Sequence, residues 1–468
     1  MTTAIVEQLT SLLGPGRISV DPVDLDAHAR DWSPRALLAR RAGDTPSSPV
    51  VVVRPGDADE VARLLGWAEK TSTPVVPFGG GSSVVQGIEG RGHVVADLSG
   101  LDHIADVDAK SRLVTVGAGV TGPRLRAALE RSGFMLGHEP QSHDISTVGG
   151  WVATRACGQL SAGYGGIEKL VAGLEAVLAG GRTIVSKVAP RRSTGPDLGA
   201  LIIGSEGTLG IVTEVTLRVS PIPEKRADAC VRFDHMRDAI AACRALAQSS
   251  LAPTLVRAYD AEDSVLLTMG LDDPPMGPLL LMSFDGDDAD ARVESAVALT
   301  NGERLSHSIV EHWWNNRNAA VDEYMRNMSG AGLLGPHAML DTMEVAGTWT
   351  VLRDLYHSMK DHLAEHADFV TCHVSHIYPD GACLYFTLAK TCSDDHEAAA
   401  SNEKWWEVGM ATCLEAGGTI SHHHGIGRLR ARWLPDELGV SFEVLRAVKG
   451  ALDPRGIMNP GALGLGAR

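Results

Sequence analysis

Three adjacent imidazoles, in Ser421-His422-His423-His424-Gly425-Ile426-Gly427-Arg428, stand near the end of this 468-residue chain. Imidazole changes charge near neutral pH and is costly to leave unpaired, so the run reads as proton-transfer machinery. Glycines dominate three other segments. Pro77-Phe78-Gly79-Gly80-Gly81-Ser82-Ser83-Val84 follows a short apolar run and reads as a diphosphate-binding loop. Its three glycines remove every Cβ that would hold main-chain N–H groups away from phosphate oxygens. A second glycine-rich region runs from Ser146-Thr147-Val148-Gly149-Gly150 to Gly163-Tyr164-Gly165-Gly166, and a third is Gly204-Ser205-Glu206-Gly207-Thr208-Leu209-Gly210-Ile211-Val212. Three separated loops imply an extended ligand.

The elements that must carry these loops are legible in the apolar pattern. Val50-Val51-Val52-Val53 reads as a strand, and residues 57–70 place Val61, Leu64, Leu65 and Ala68 on one helix face. Strand-like runs follow at 94–96 and 113–116, then an amphipathic helix over 121–131 with Leu125, Ala128 and Leu129 together. No Gly-x-Gly-x-x-Gly opens a helix directly after the first strand, which argues for an α+β arrangement over a plain dinucleotide fold. After a strand over 215–219, Pro221-Ile222-Pro223 marks a boundary. Helices over 236–248, 288–301 and 349–366, with strands over 279–284 and 384–388, suit a cap domain. The expected division is an N-terminal segment 1–45, a cofactor domain 46–223, a cap 224–420, and a C-terminal segment 421–468 that returns to the cofactor domain.

A formal net charge of −16 disfavours nucleic acid and permanent residence on an anionic membrane, so lipid contact should be local at most. Phosphorylated ligands must then be held by specific Arg, Lys and His side chains and backbone donors. Seven cysteines without a Cys-x-x-Cys pair read as reduced core residues. The first residues lack a signal-peptide pattern and no apolar run reaches membrane-span length, which predicts a cytoplasmic location. A homodimer is left open.

With three loops in this order, the first 225 residues resemble the flavin-binding domain of the vanillyl-alcohol oxidase family, which holds FAD between two α+β subdomains. The run Gly-Ser-Glu-Gly-Thr-Leu-Gly-Ile-Val-Thr-Glu at 204–214 is the specific part of the match. By this resemblance Pro77, Phe78, Gly79, Gly80, Gly81, Ser82 and Ser83 hold the diphosphate. Pro140, Gln141, Ser142, His143, Asp144, Ile145, Ser146, Gly149, Gly150, Ala153, Thr154, Arg155 and Ala156 lie along the flavin. Glu206, Gly207, Thr208, Leu209, Gly210, Ile211 and Val212 complete the site. The first loop has no His or Cys, so FAD is expected to be non-covalent there.

The histidine run, with Gly137-His138-Glu139-Pro140, Ser193-Thr194-Gly195-Pro196-Asp197 and Gly381-Ala382-Cys383-Leu384-Tyr385-Phe386, is similar to the alkyldihydroxyacetonephosphate synthases, flavoenzymes that make the ether bond of ether lipids. The resemblance implies exchange of the acyl group of acyl-dihydroxyacetone phosphate for a fatty alcohol, through an adduct at the flavin N5, with the flavin ending oxidised. It implies Tyr385 as proton acceptor and donor, supported by His422, His423 and His424, and Arg326 and Arg257 as substrate-binding residues. A salt bridge to Asp260 is the alternative for Arg257. Lowering a tyrosine from about 10 to about 8 takes roughly 2.7 kcal/mol, expected from imidazolium or guanidinium neighbours.

The competing reading is an FAD-dependent oxidoreductase of a D-2-hydroxy acid or related alcohol. That branch carries Glu-His-Gly where this chain has His423-His424-Gly425, and a metal-binding His where Tyr385 stands. Losing a carboxylate and an imidazole dismantles a divalent site, so no catalytic metal is expected, with His376 and Asp380 the residual candidate ligands. Met325, Met328, Leu333, Leu334 and Met339 read as core packing or as the lining of an acyl channel.

Overall fold

The structure, a computed structural model, describes residues 2–43 and 48–466. The expected boundary at 45/46 lies outside the described residues. Two compact units emerge: one from the described residues of 1–158, 165–222 and 423–468, the other from 159–164 and 223–422.

In the first unit a four-stranded sheet has the order β1 (Ile18–Ser19), β2 (Val51–Val53), β4 (Val94–Asp97), β3 (Val75–Phe78). β2 and β3 run parallel to β4, and β2 and β4 are wholly buried, as parallel strands covered on both faces must be. The helix Ala58–Thr71 follows β2. Asp57 caps it by accepting from the Glu60 N–H at 2.7 Å, and its buried face is Val61, Leu64, Leu65 and Ala68. A second, antiparallel sheet has the order β5 (Leu113–Gly117), β9 (Ile211–Arg218), β7 (Val171–Val177), β8 (Thr183–Val185). A short ribbon pairs β6 (Phe134–Met135) with β10 (Ser220–Pro221). Val75 bonds to the tail on both sides, donating to Ile457 O at 2.8 Å and accepting from Asn459 N at 3.0 Å. Ile457 and Met458 join the same core as β2, β4 and β9.

The second unit is built on a seven-stranded antiparallel sheet: β14 (Glu303–Arg304), β11 (Arg226–Arg232), β13 (Leu279–Asp285), β12 (Leu255–Tyr259), β16 (Phe369–Ile377), β17 (Gly381–Lys390), β15 (Met339–Thr348). Helices Met236–Gln248, Ala289–Thr300, Trp349–Ala364 and Asp395–Glu415 pack with it. Trp406 and Asn402 are buried and donate to Asp341 on β15 at 2.7 and 2.6 Å. All seven cysteines are buried free thiols. Met328 and Met339 are core, whereas Leu333 is 94% exposed, so the five residues read as one apolar set do not form one lining. No helix among the described residues is long and apolar enough to cross a membrane.

Candidate active site

β3 ends at Phe78 and delivers the first glycine loop. A Cβ on Gly80 would stand 2.0 Å from Ile145 O and one on Gly79 2.5 Å from Thr147 Oγ1, so loops one and two touch backbone to backbone. A Cβ on Gly207 would meet Pro77 at 2.7 Å, joining loop three. The third loop is also laced to the end of helix Val148–Thr154, where Gly204 N donates to Val152 O and Glu206 N to Ala153 O at 2.9 and 2.8 Å. Three segments whose contacting residues lie 52 to 130 positions apart in sequence thus converge within one unit.

The donors left over at this convergence fit FAD. Among the described residues the N–H groups of Gly80, Gly81 and Ser82 donate to no main-chain oxygen, and Ser205 Oγ is buried without a partner. His138 is 2% exposed, lies edge-on to Trp151 at 4.9 Å, and neither ring nitrogen has a partner there. Burial pushes its imidazole down to about 3, which keeps it neutral. Buried polar groups in folded proteins are mostly hydrogen-bonded, and a ligand's polar atoms would satisfy these. Residues 140–146 form a turn whose His143 ring packs near Trp151, while Asp144 and Arg155 are exposed. Leu209, Ile211 and Val212, expected along the cofactor, have side chains committed to the core, so only their main chain is free to meet a ligand.

Glu206, in the loop expected to complete the FAD site, has a hydrogen bond at each carboxylate oxygen. It accepts from Ile426 N at 2.6 Å and Gly427 N at 2.8 Å, pinning the segment just after the histidine run to loop three. Arg428 holds the same segment by donating to Gln86 O, Gly87 O, Asn459 Oδ1 and Pro460 O. Burial pushes the Glu206 carboxyl up to about 7, against the pull of the two N–H donors and of Arg430 and Arg428. A carboxyl raised in the fold contributes stability that is fully present below its unfolded value near 4.5 and lost as pH rises through about 7. Glu206→Gln should therefore flatten this part of the stability profile. It should also cost about 1–3 kcal/mol at pH 7, because its NH2 faces an N–H donor. Thermal unfolding from pH 4.5 to 8 measures both.

In the second unit, register alone assembles the other chemistry. Tyr259 on β12 pairs with His373 on β16, His373 with Tyr385 on β17, and Tyr385 with Glu344 on β15. Directly paired residues share a face, so these four side chains form one row across four strands. The His373 ring stacks on Tyr385 with centroids 4.8 Å apart and planes 17° apart. Arg257, two residues before Tyr259, is on the same face; it donates to Tyr259 Oη at 2.9 Å and to His373 Nε2 at 2.8 Å. Glu344, fully buried, accepts from His422 N at 2.8 Å and from Ser421 Oγ at 3.2 Å. His422 Nε2 bonds Tyr378 Oη at 2.8 Å and its ring stacks on His376, whose Nδ1 bonds Ser161 Oγ at 2.8 Å. The segment 159–164 belongs to this unit, which no sequence signal indicated. His423 and His424, which belong to the first unit, meet edge to face at 4.4 Å. Arg326 sits exposed in the last turn of helix Ala319–Met328, and Asp380 is exposed in the turn after β16 while His376 is buried.

The anticipated lowering of the Tyr385 phenol is not what its surroundings produce. Burial pushes it up to about 12; Thr342 and Arg257 pull it back, and Glu344 and Asp341 add to the rise. Nor does Arg257 pair with Asp260. Asp260 accepts from Lys360 Nζ at 2.5 Å and Cys372 N at 3.0 Å, and caps helix Ala261–Leu267 through Asp263 N at 2.9 Å. Asp260→Ala would leave the Lys360 ammonium with Glu262, strand a buried N–H and uncap that helix. Destabilisation of about 3 kcal/mol in urea unfolding is expected.

Loops fit for an FAD diphosphate and a proton-handling row on an antiparallel sheet define a flavoenzyme of the vanillyl-alcohol oxidase type. The matching family models are "FAD binding domain" over residues 49–187 and "FAD linked oxidases, C-terminal domain" over residues 222–463. The chain belongs to the FAD-linked oxidase family, and its cofactor is FAD. It is 31% identical over 98% of its length, and 98% of the relative's, to an uncharacterised FAD-linked oxidoreductase of Escherichia coli (strain K12). It is 29% identical to the alkyldihydroxyacetonephosphate synthase of Caenorhabditis elegans, covering 90% of this chain and 77% of that one. A solved structure of an alkyldihydroxyacetonephosphate synthase superposes with a TM-score of 0.77 at 24% identity, over 98% of this chain and 84% of the other, and shows the shared fold.

Proposed function

We propose that this protein is an FAD-dependent alkyl transferase that exchanges the acyl group of an acyl-dihydroxyacetone phosphate for a fatty alcohol. The observation that carries the reading is a half-buried phenol, Tyr385, set between the His373 ring and Glu344 with Arg257 on the same face. When bound, FAD supplies the electrophilic ring that engages the substrate carbon. Tyr385 takes the proton from that carbon and returns it. It does so as the phenolate, a minority form at neutral pH for a phenol pushed up to about 12, and the phenol it becomes returns the same proton, so exchange should speed up as pH rises towards that value. The carboxylate leaves with the electron pair of its C–O bond, and the alcohol oxygen forms the new bond after losing its own proton. His422, hydrogen-bonded to Tyr378 and tied through its N–H to Glu344, is placed to relay that second proton. Arg257 and Arg326 supply cations for the phosphate.

An FAD-dependent oxidoreductase is the second reading, favoured by the name of the 31% identical bacterial relative, with a D-2-hydroxy acid or related alcohol as the substrate to be tested. Electron balance separates the two. Acyl exchange consumes no oxidant, so an ether product should form from the acyl ester and a labelled fatty alcohol under argon with no electron acceptor. Product formation only when an acceptor is added would overturn the transferase reading.

A further inference from the structure

Asp263, His373 and Arg257 form a buried hydrogen-bonded chain against Tyr385, and Asp263 and His373 have no part in the reaction as derived above. His373 Nδ1 lies 2.7 Å from Asp263 Oδ2, and its Nε2 lies 2.8 Å from an Arg257 nitrogen. A guanidinium only donates, so Nε2 must carry the lone pair and Nδ1 the proton, which Asp263 accepts. The ring is thereby fixed as a neutral imidazole in one tautomer, bridging an anion and a cation that are both buried. Burial and Arg257 favour the neutral ring, and Asp263 opposes them. A hydrogen bond at each nitrogen also fixes the ring's plane, and that plane lies 17° from the plane of Tyr385.

The chain holds Arg257 as firmly as it holds the ring. Its Nε donates to Tyr259 Oη, which also accepts from Trp313 Nε1 at 2.7 Å, and its guanidinium carbon stands 5.8 Å from the Trp313 ring centre. Two residues brought from 110 positions apart, Asp263 and His373, thus set the placement of the cation beside the phenol. Asp263 is itself presented by the first turn of helix Ala261–Leu267, capped by Asp260.

We propose that Asp263 and His373 are positioning residues: the carboxylate selects the imidazole tautomer, and the imidazole, through its lone pair, holds Arg257 beside Tyr385. The charged and titratable groups around Tyr385 are His373, Arg257, Glu344 and Asp341, with the Thr342 hydroxyl. The inference rests on the assignment of Tyr385 as proton carrier. Its test is chosen to separate the two.

The informative pair is His373→Phe and His373→Gln in the FAD-loaded protein. Phenylalanine keeps a ring against Tyr385 but removes both hydrogen bonds. Glutamine restores a donor towards Asp263 and an acceptor towards Arg257 without a ring. His373→Phe should lower kcat for acyl exchange by about tenfold or more with KM within about twofold, and His373→Gln should recover most of the loss. A His373→Phe variant with wild-type kcat, or a flavin-loaded His373→Gln variant no better than it, overturns the proposal. If His373→Phe does not fold, the wild-type holoenzyme decides. Its imidazole 15N shifts, assigned by the resonance missing in His373→Gln, should show a neutral ring protonated at Nδ1 from pH 6 to 8. A cationic ring or one protonated at Nε2 overturns it. Wild-type turnover of a D-2-hydroxy acid with no acyl exchange would sink the substrate reading, and the same variants assayed on that turnover would still test the positioning chain.

Discussion

Replacing Tyr385 by Phe is expected to leave FAD bound and the protein folded while acyl exchange falls by about 10²–10⁴-fold, or roughly 2.7–5.4 kcal/mol in the barrier. The ring contributes packing that phenylalanine preserves: it stacks on His373 at 4.8 Å within a β17 whose other residues are almost all buried. What is lost is one oxygen, and with it the group that holds the proton between its removal and its return. The retained ring limits the stability cost to about the 1 kcal/mol typical of one hydrogen bond, here the one the hydroxyl makes with Thr342. Visible absorbance, thermal unfolding and turnover together check the prediction. A Tyr385→Phe enzyme with full turnover would remove Tyr385 from the mechanism.

Gly80→Ala is expected to abolish FAD retention. The added methyl would lie 2.0 Å from Ile145 O and 2.8 Å from Ile145 C, against backbone that cannot rotate away as a side chain would. Loop one must then lift from loop two, moving the N–H groups of Gly80, Gly81 and Ser82 off any diphosphate they hold. Gly450→Ala is the control of opposite sign. A Cβ there meets nothing within 4 Å in the helix Val440–Leu452, so alanine should stabilise by about 0.5–1 kcal/mol. Absorbance of the purified variants reads the first effect, and urea unfolding reads the second.

Much of the first unit was legible because its signals are local. The apolar spacing at Val61, Leu64, Leu65 and Ala68 belongs to a single helix, and glycines announce a close backbone approach wherever they cluster. What the glycines could not announce is which partner they approach: Gly80 meets Ile145 and Gly207 meets Pro77, both far away in sequence. Glu206, a signature residue of loop three, could be read only as part of the cofactor site, because its backbone partners at Ile426 and Gly427 lie 220 residues on. The second site was half visible. Tyr385 and the histidine run stand out by residue type, but His373 and Glu344 are single polar residues in strands, significant only once β12, β16, β17 and β15 are paired in this register. The direction of the Tyr385 shift was missed for a related reason. Neighbouring cations can be guessed from sequence, whereas the desolvation that outweighs them is a property of the assembled sheet.

The most direct test of the account mixes FAD-loaded protein anaerobically with an acyl-dihydroxyacetone phosphate, following the flavin band and released fatty acid together, with a panel of D-2-hydroxy acids alongside. The account predicts fatty acid release with bleaching that recovers on adding a fatty alcohol, with no electron acceptor present. Lasting bleaching by a hydroxy acid, with no fatty acid released from the ester, would contradict it.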